Sequence, residues 1–461
     1  MSTMIHSASP PRLEPWSAIP ALPGGAPWIG HSVAFGKDPV AFLSEGRRHA
    51  GDLFRFRMMG QQVVFACGPR AHESVFKAED SVLNAGDAYP FMKPIFGPGI
   101  GFDAEPEEMD RQMSLLARHL TSTHLQRYPT IMEAEIETCV QAWGDEGEID
   151  LVPAMAELVA AVSSRCLLGP EMRRNMGSDT VGLYRDMAKG LRLAGLLNPG
   201  LPLPAFRRRD RARRRIAQEL QHVIDTRRNG PNVAHQDMLQ ALLESRTTLG
   251  QPVSDETVIG MTIATTFAGV HNSTGLASWA GVVLLEQADM LPQLLDEQHR
   301  IVPAGSPLTA ERLHGMELMG RCIREAERLY PPTMVLMRKA RKPFVLEGHH
   351  VPVGTLVMIS PTVAHRMVSA FADPERCDPA RYADGRQEHL RPYNLIGFGG
   401  GKHRCIGRAF ADQEIKAIWS VLLRRFDLRL LGAPHRPSYS TALISEPSAP
   451  CVLRYRTRQR G

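Results

Sequence analysis

Cys405 lies in the run Phe398-Gly399-Gly400-Gly401-Lys402-His403-Arg404-Cys405-Ile406-Gly407. Glycines fill the loop between the aromatic residue and the cysteine, and His403 and Arg404 place cationic or hydrogen-bonding groups beside the sulfur. A helical pattern follows, with Ile415, Ile418, Trp419 and Leu422 on one face. Glycines let backbone N–H groups approach the sulfur, and such donors, with a helix N-terminus, stabilise a thiolate. A buried anionic metal ligand needs these surroundings. The plainer alternative is a buried free cysteine in a glycine-rich turn. Upstream, Glu325 and Arg328 share one face of a helix by their spacing. Alone they would read as a surface pair of little energetic worth.

Several elements must position these groups. Residues 52–58 alternate, Gly60 turns the chain and residues 61–67 return, which predicts a strand pair. Helical patterns dominate from about residue 106 to 330. The longest runs over about 255–287, capped by Ser254-Asp255-Glu256-Thr257. Short strands are expected around 344–358, and a last helix after Gly407. The class is mainly α with small β-sheets. The chain of 461 residues shows no internal linker, so a single large domain over 21–461 is expected after a flexible segment 1–20. Its length is ample for a core that encloses a cofactor.

In chain order, Glu325-Ala326-Glu327-Arg328, then Pro379-Ala380-Arg381-Tyr382, then the Cys405 loop resemble the cytochrome P450 superfamily. The resemblance implies that fold, with haem b whose iron takes Cys405 as its sulfur ligand. It implies that Phe398, Gly399 and Gly407 shape the loop, and that Glu325, Arg328 and Arg381 form a network beneath it. On the long helix, Ala268 and Gly269 would let a planar macrocycle and a diatomic ligand lie close. The family's usual acid and threonine after them are His271 and Asn272 here. His271, Asn272 and Ser273 are therefore the catalytic candidates, because polar residues deep in an apolar helix are costly unless used.

The branch resembled is the bacterial sterol 14α-demethylases. Residues 267–273, Gly275, Ala277, Ser278 and Trp279 are similar to its helix, as are Tyr89, Phe91, Pro94, Phe96, Gly97, Phe102 and Asp103 to its second signature. Residues 144–150, the run 206–210, Pro331, Pro332 and Arg338 fit as well. Matching residue by residue implies that Tyr89, Arg338 and His403 meet the haem propionates, with Arg111 a substitute for a cation missing after Phe102. Three departures touch the family's proton route: Val270, Asn272, and Ala188 where an acid is expected, with Asp186 close by.

Composition excludes some classes. A net charge of +5 is too small to argue for nucleic acid. Seven scattered cysteines argue for a reducing compartment and against a disulfide scaffold. No N-terminal apolar run is long enough for a signal peptide or membrane anchor. The arginines at 207, 208, 209, 211, 213, 214 and 215 read as a solvated helix start, or else as a docking patch. The expectation is a soluble, cytoplasmic monooxygenase using dioxygen and NAD(P)H electrons delivered by a separate ferredoxin and ferredoxin reductase. Its substrate would be a bulky apolar terpenoid or polyketide. Candidate pocket residues are Phe91, Met92, Phe96, Met261, Ala264, Thr265, Val335, Leu336 and Ile444. The rival readings are a sterol 14α-demethylase, a peroxide-using or isomerising haem-thiolate enzyme, and a haem sensor.

Overall fold

Alternation does build the expected hairpin: β1 (Leu53–Met58) and β2 (Gln61–Ala66) pair antiparallel. Gly60 turns between them at φ 75°, where a side chain would be strained. The computed structural model describes residues 13–175, 179–230, 235–247, 250–287, 289–383, 385–432, 434–439 and 444–458. The remaining strands are β3 (Leu83–Asn84), β4 (Glu146–Asp150), β5 (Leu336–Ala340), β6 (Phe344–Leu346), β7 (His349–Val351), β8 (Leu356–Ile359), β9 (Phe426–Leu431), β10 (Pro437–Ser438), β11 (Glu446–Pro447) and β12 (Val452–Thr457). One five-stranded sheet runs β1-β2-β8-β5-β3, and a three-stranded sheet runs β4-β12-β9. The second sheet was not expected. Its strands β9 and β12 do alternate buried and open residues and pair with each other, but β12 also pairs with β4 some 300 residues upstream, which local pattern cannot reveal.

Two apolar cores result. One lies on the five-stranded sheet, the other among the helices. From the expected flexible segment, residues 1–12 lie outside the described residues. Residues 13–20 are held: Glu14 donates its N–H to Gly348 and accepts from His350, each at 2.9 Å, and Ile19 is buried.

The helical core is organised around Asp255–Glu286. Ser254 caps it by accepting the Thr257 N–H at 3.2 Å. A helix apolar all round must be buried all round, and this one packs against Leu151–Ser163, Pro204–Asn229, Glu317–Leu329 and Arg408–Arg425. The stretch Leu151–Leu168 is long and apolar enough to cross a membrane, but 78% of it is buried in the protein, as a core helix should be. Trp419 locks the crossing with Arg408–Arg425: its Nε1 donates to the Ala277 carbonyl at 2.9 Å, and its ring lies against bare Gly281. A Cβ at Gly281 would overlap the indole. Gly281→Ala should therefore lower unfolding free energy by about 1–3 kcal/mol in chemical denaturation. Unchanged stability would mean that this crossing has slack.

Candidate active site

The buried charges come first. The Glu325 carboxylate accepts two bonds from Arg328, at 2.7 and 2.8 Å, and one from Arg381 at 3.2 Å. All three residues are fully buried. The Asp378 N–H and the Tyr382 hydroxyl also donate to Glu325, at 2.8 and 2.9 Å. Arg328 spends its other donors on the carbonyls of His365, Pro374 and Arg376, and Arg381 adds Glu388 at 3.1 Å. His365 carries the network onward: Nδ1 donates to the Arg328 carbonyl at 3.0 Å and Nε2 accepts the Ile396 N–H at 2.9 Å. Burial pushes the His365 imidazole down to about 3, so it is neutral and can do both. The surface-pair reading of Glu325 and Arg328 is thereby replaced by a closed internal network. Glu388 and His365 belong to it without having stood out in sequence.

This network ends at the Cys405 loop. The Cys405 N–H donates to the Phe398 carbonyl at 3.0 Å, which closes the loop. Gly399 and Gly401 take φ of 69° and 60°, and a Cβ at Gly401 would strike the Phe76 carbonyl. Burial pushes the Cys405 thiol up, opposed by hydrogen bonds from the Gly407 and Arg408 backbone and by the Arg408 charge. The sulfur is nevertheless on an uncovered surface. Cys405 and Phe398 line a cavity of about 730 Å³ that reaches Leu276 of the long helix.

The long helix carries the complementary surface. From Val258 to Leu284 every residue is buried except Ala264, Thr265, Ala268, Gly269 and Asn272. Those five lie on one stripe at helical spacing. A Cβ added at Gly269 would meet nothing within 4 Å. An uncovered stripe inside an otherwise buried helix is room for a flat ligand. Asn272 holds its amide on this stripe, donating to the Ala268 carbonyl at 2.8 Å and accepting from Thr333 at 3.1 Å.

The other two catalytic candidates point elsewhere. His271 is buried, with Nδ1 3.0 Å from the Phe267 carbonyl. Burial pushes it down to about 4, so it is neutral. Among the described residues no acid joins it from the earlier helix Thr180–Ala188: Ala188 is buried, and Asp186 pairs with Lys189 at 2.8 Å. Ser273 faces Glu414, not the stripe. Arg111 is also spent, on Glu108 at 2.8 and 2.5 Å.

Tyr89, Arg338 and His403, expected at the cofactor, have the following partners. The Tyr89 hydroxyl accepts the Met337 N–H at 2.9 Å, and Arg338 lies within its field. Arg338 is buried and makes one hydrogen bond, to its neighbour's carbonyl at 2.8 Å; no carboxylate among the described residues pairs with it. Burial depresses its guanidinium, which therefore favours an anion beside it. His403 donates Nε2–H to Asp80 at 2.6 Å, its Nδ1 has no hydrogen-bond partner among the described residues, and Lys402 grips the same carboxylate at 2.7 Å. Burial opposes ionisation of Asp80, but those two bonds outweigh it and hold it below the usual range.

Pocket candidates divide. Phe96 stacks with Phe102 and meets Phe267, at 6.1 and 6.4 Å between ring centres. Phe91 and Val335 line a cleft of about 240 Å³, Met92 and Leu336 are half-buried, and Ile444 touches the helix at Gly275. Met261 is 1% exposed and belongs to the helical core, so it offers no open wall.

The cytochrome P450 family profile matches residues 20–453. The chain is 35% identical to the sterol 14α-demethylase of Mycobacterium tuberculosis over 447 residues, covering 96% of this chain and 98% of that protein. It is 34% identical to the lanosterol 14α-demethylase of Bos taurus, covering 97% and 92%. A retinoic-acid-bound cyanobacterial CYP120A1 superposes with a TM-score of 0.86 at 24% identity, covering 97% of this chain and all of that one, which shows the same fold.

Glu414 is a buried acid that the spacing did not single out. It accepts from Ser163 at 2.7 Å, and burial raises its carboxyl from 4.5 to about 7. The folded state holds this proton more tightly than the unfolded chain. Stability is therefore fully present below about pH 4.5 and falls as pH rises to about 7. Glu414→Gln should gain on the wild type by up to about 3 kcal/mol between pH 4.5 and 7.5 in urea denaturation. A gap that stays constant with pH would show that Glu414 is already ionised.

Proposed function

This chain belongs to the cytochrome P450 family, and from that premise we propose that it oxidises a bulky apolar terpenoid or polyketide, with Cys405 as the sulfur ligand of its haem iron. It is a cytochrome P450 monooxygenase, and the family uses haem and dioxygen. The observation that carries the site assignment is the uncovered stripe of the long helix, with the cavity at Cys405 reaching Leu276 one turn beyond its Asn272 end.

The residues present fit the cofactor. Gly269 and Ala268 leave a flat space, Arg338 is a buried cation awaiting an anion, and Asp80 fixes the orientation of His403, whose other ring nitrogen has no partner among the described residues. Arg338, His403 and Tyr89 would hold the propionates, and Phe398, Gly399 and Gly407 the loop. Bound there, haem supplies reductive activation of dioxygen and insertion of one oxygen atom into a carbon–hydrogen bond. The protein orients the substrate and governs protons. Two polar side chains lie on the stripe: Thr265 donates its hydroxyl to the Met261 carbonyl at 2.8 Å, and both ends of the Asn272 amide are engaged. An amide is a poorer proton relay than a hydroxyl, so ordered water or a substrate hydroxyl supplies the proton. His271, neutral and turned to the Phe267 carbonyl, stiffens the helix, and Ser273 ties it to Glu414.

Phe91, Phe96, Val335 and Ile444 give an apolar wall, which favours a bulky apolar substrate. Electrons come from NAD(P)H through a ferredoxin and its reductase in the cytoplasm. The second reading is sterol 14α-demethylation, favoured by the relatives of that name. Reconstitution with a surrogate ferredoxin, reductase and NADPH separates the two. Mass analysis should show no loss of the 14α-methyl group from lanosterol, and a hydroxylated product from a terpenoid and polyketide panel. Asn272→Ala should release more hydrogen peroxide per NADPH consumed. Efficient demethylation of lanosterol would establish the second reading instead.

A further inference from the structure

The arginine-rich start of Pro204–Asn229 is not uniformly solvated. Its buried face runs Phe206, Arg209, Ala212, Ile216 and Leu220, so the cluster sits partly within an apolar stripe. Arg209 is spent locally, on Asp210 at 2.7 Å and the Pro199 carbonyl at 2.9 Å. Arg213 reaches further. Its Nε donates to the Ile95 carbonyl at 2.9 Å and its Nη2 to the Phe96 carbonyl at 3.2 Å. These are carbonyls of the pocket wall, where the short helix Lys93–Phe96 ends.

The contact is close. Gly97 follows at φ 109°, and a Cβ there would lie 2.6 Å from the Arg213 Nη2. On its other side the wall meets the long helix: a Cβ at Gly260 would lie 2.7 Å from both the Phe96 carbonyl oxygen and Ile100. The 95–100 segment is thus clamped between two helices. Arg213 has no carboxylate within ion-pair distance among the described residues, and burial depresses its guanidinium. It also lines a surface cleft of about 310 Å³ with Lys93, Pro94 and Asp103. Swinging into that cleft would trade two carbonyls for water and the Asp103 carboxylate. That carboxylate is already held by Lys93 and by the Gly99 N–H at 3.0 Å, so an arginine entering the cleft would share it.

We infer that Arg213 is a latch on the pocket wall, a positioning residue whose two bonds to the Ile95 and Phe96 carbonyls set how fast apolar ligands enter and leave. The inference rests on reading the space beside the Asp255–Glu286 stripe as the substrate site. Hydrogen bonds from a cation are about twice as strong as neutral ones, so losing the pair is enough to change the open fraction about tenfold.

The test uses full-length, haem-loaded protein carrying Arg213→Met, Arg213→Lys or Arg207→Met. Arg207 is exposed on the same helix and serves as the control. Amide hydrogen exchange at residues 95–101 is measured in each, with the rest of the chain as reference. Stopped-flow absorbance then follows binding of 4-phenylimidazole. Arg213→Met should speed exchange at 95–101 alone and raise both association and dissociation rates about tenfold, with a smaller change in affinity. Arg213→Lys should fall between, and Arg207→Met should match the wild type. Wild-type rates and exchange in Arg213→Met would overturn the latch, as would exchange raised throughout the protein. If no variant, nor the wild type, shows a spectral change with 4-phenylimidazole, the haem assignment fails. The exchange measurement then still decides the latch.

Discussion

Everything at the site hangs from one buried carboxylate. Glu325 is shared by Arg328 and Arg381 with no exposure of any of the three. Three charges out of water carry a large desolvation cost, which is repaid only if nearly every donor and acceptor finds a partner. Here nearly all do. Arg328 alone binds the carboxylate and three carbonyls, from His365, Pro374 and Arg376. The network is therefore a register device: it forms only when the Glu317–Leu329 helix, the 361–382 region and the loop at Ile396 have all arrived. Removing one member would strand the others at about 3–5 kcal/mol.

The loop built on that network has little freedom left. Glycines at 399 and 401 let it pass Phe76, and the Cys405 N–H closes it on Phe398. Asp80 reaches it from the other side through His403 and Lys402. Between Val258 and Leu284 the long helix is buried except along the stripe that ends at Asn272. Two rigid surfaces are thus held apart by packing that does not involve what lies between them. Preorganisation of this kind places the cost of shaping a site on folding and leaves none for the moment of binding.

Much of this was legible in the residues, and the reasons are physical. The Cys405 loop and the Glu325–Arg328 pair are short, and their chemistry is local. The long helix was legible to within one residue because its cap and apolar run are both local signals. The catalytic candidates were less so. His271 and Ser273 flank Asn272 in sequence, but adjacent helical residues point about 100° apart, and of the three Asn272 alone falls on the stripe. Polar character alone could not say which. Asp80 and His403 meet across 323 residues, and no spacing rule carries that contact. Arg213 was discernible in principle. It follows Arg209 by one turn on the face of Phe206 and Ile216, a position that solvated arginines do not take.

The central claim is that Cys405 presents a thiolate to haem iron. It is tested most directly by the absorbance of the reduced, carbon-monoxide-bound protein, wild type against Cys405→His. The account predicts the thiolate-type Soret band in the wild type and its absence from a variant that still folds and retains haem. The same band in Cys405→His would contradict it and move the iron ligand elsewhere in the chain.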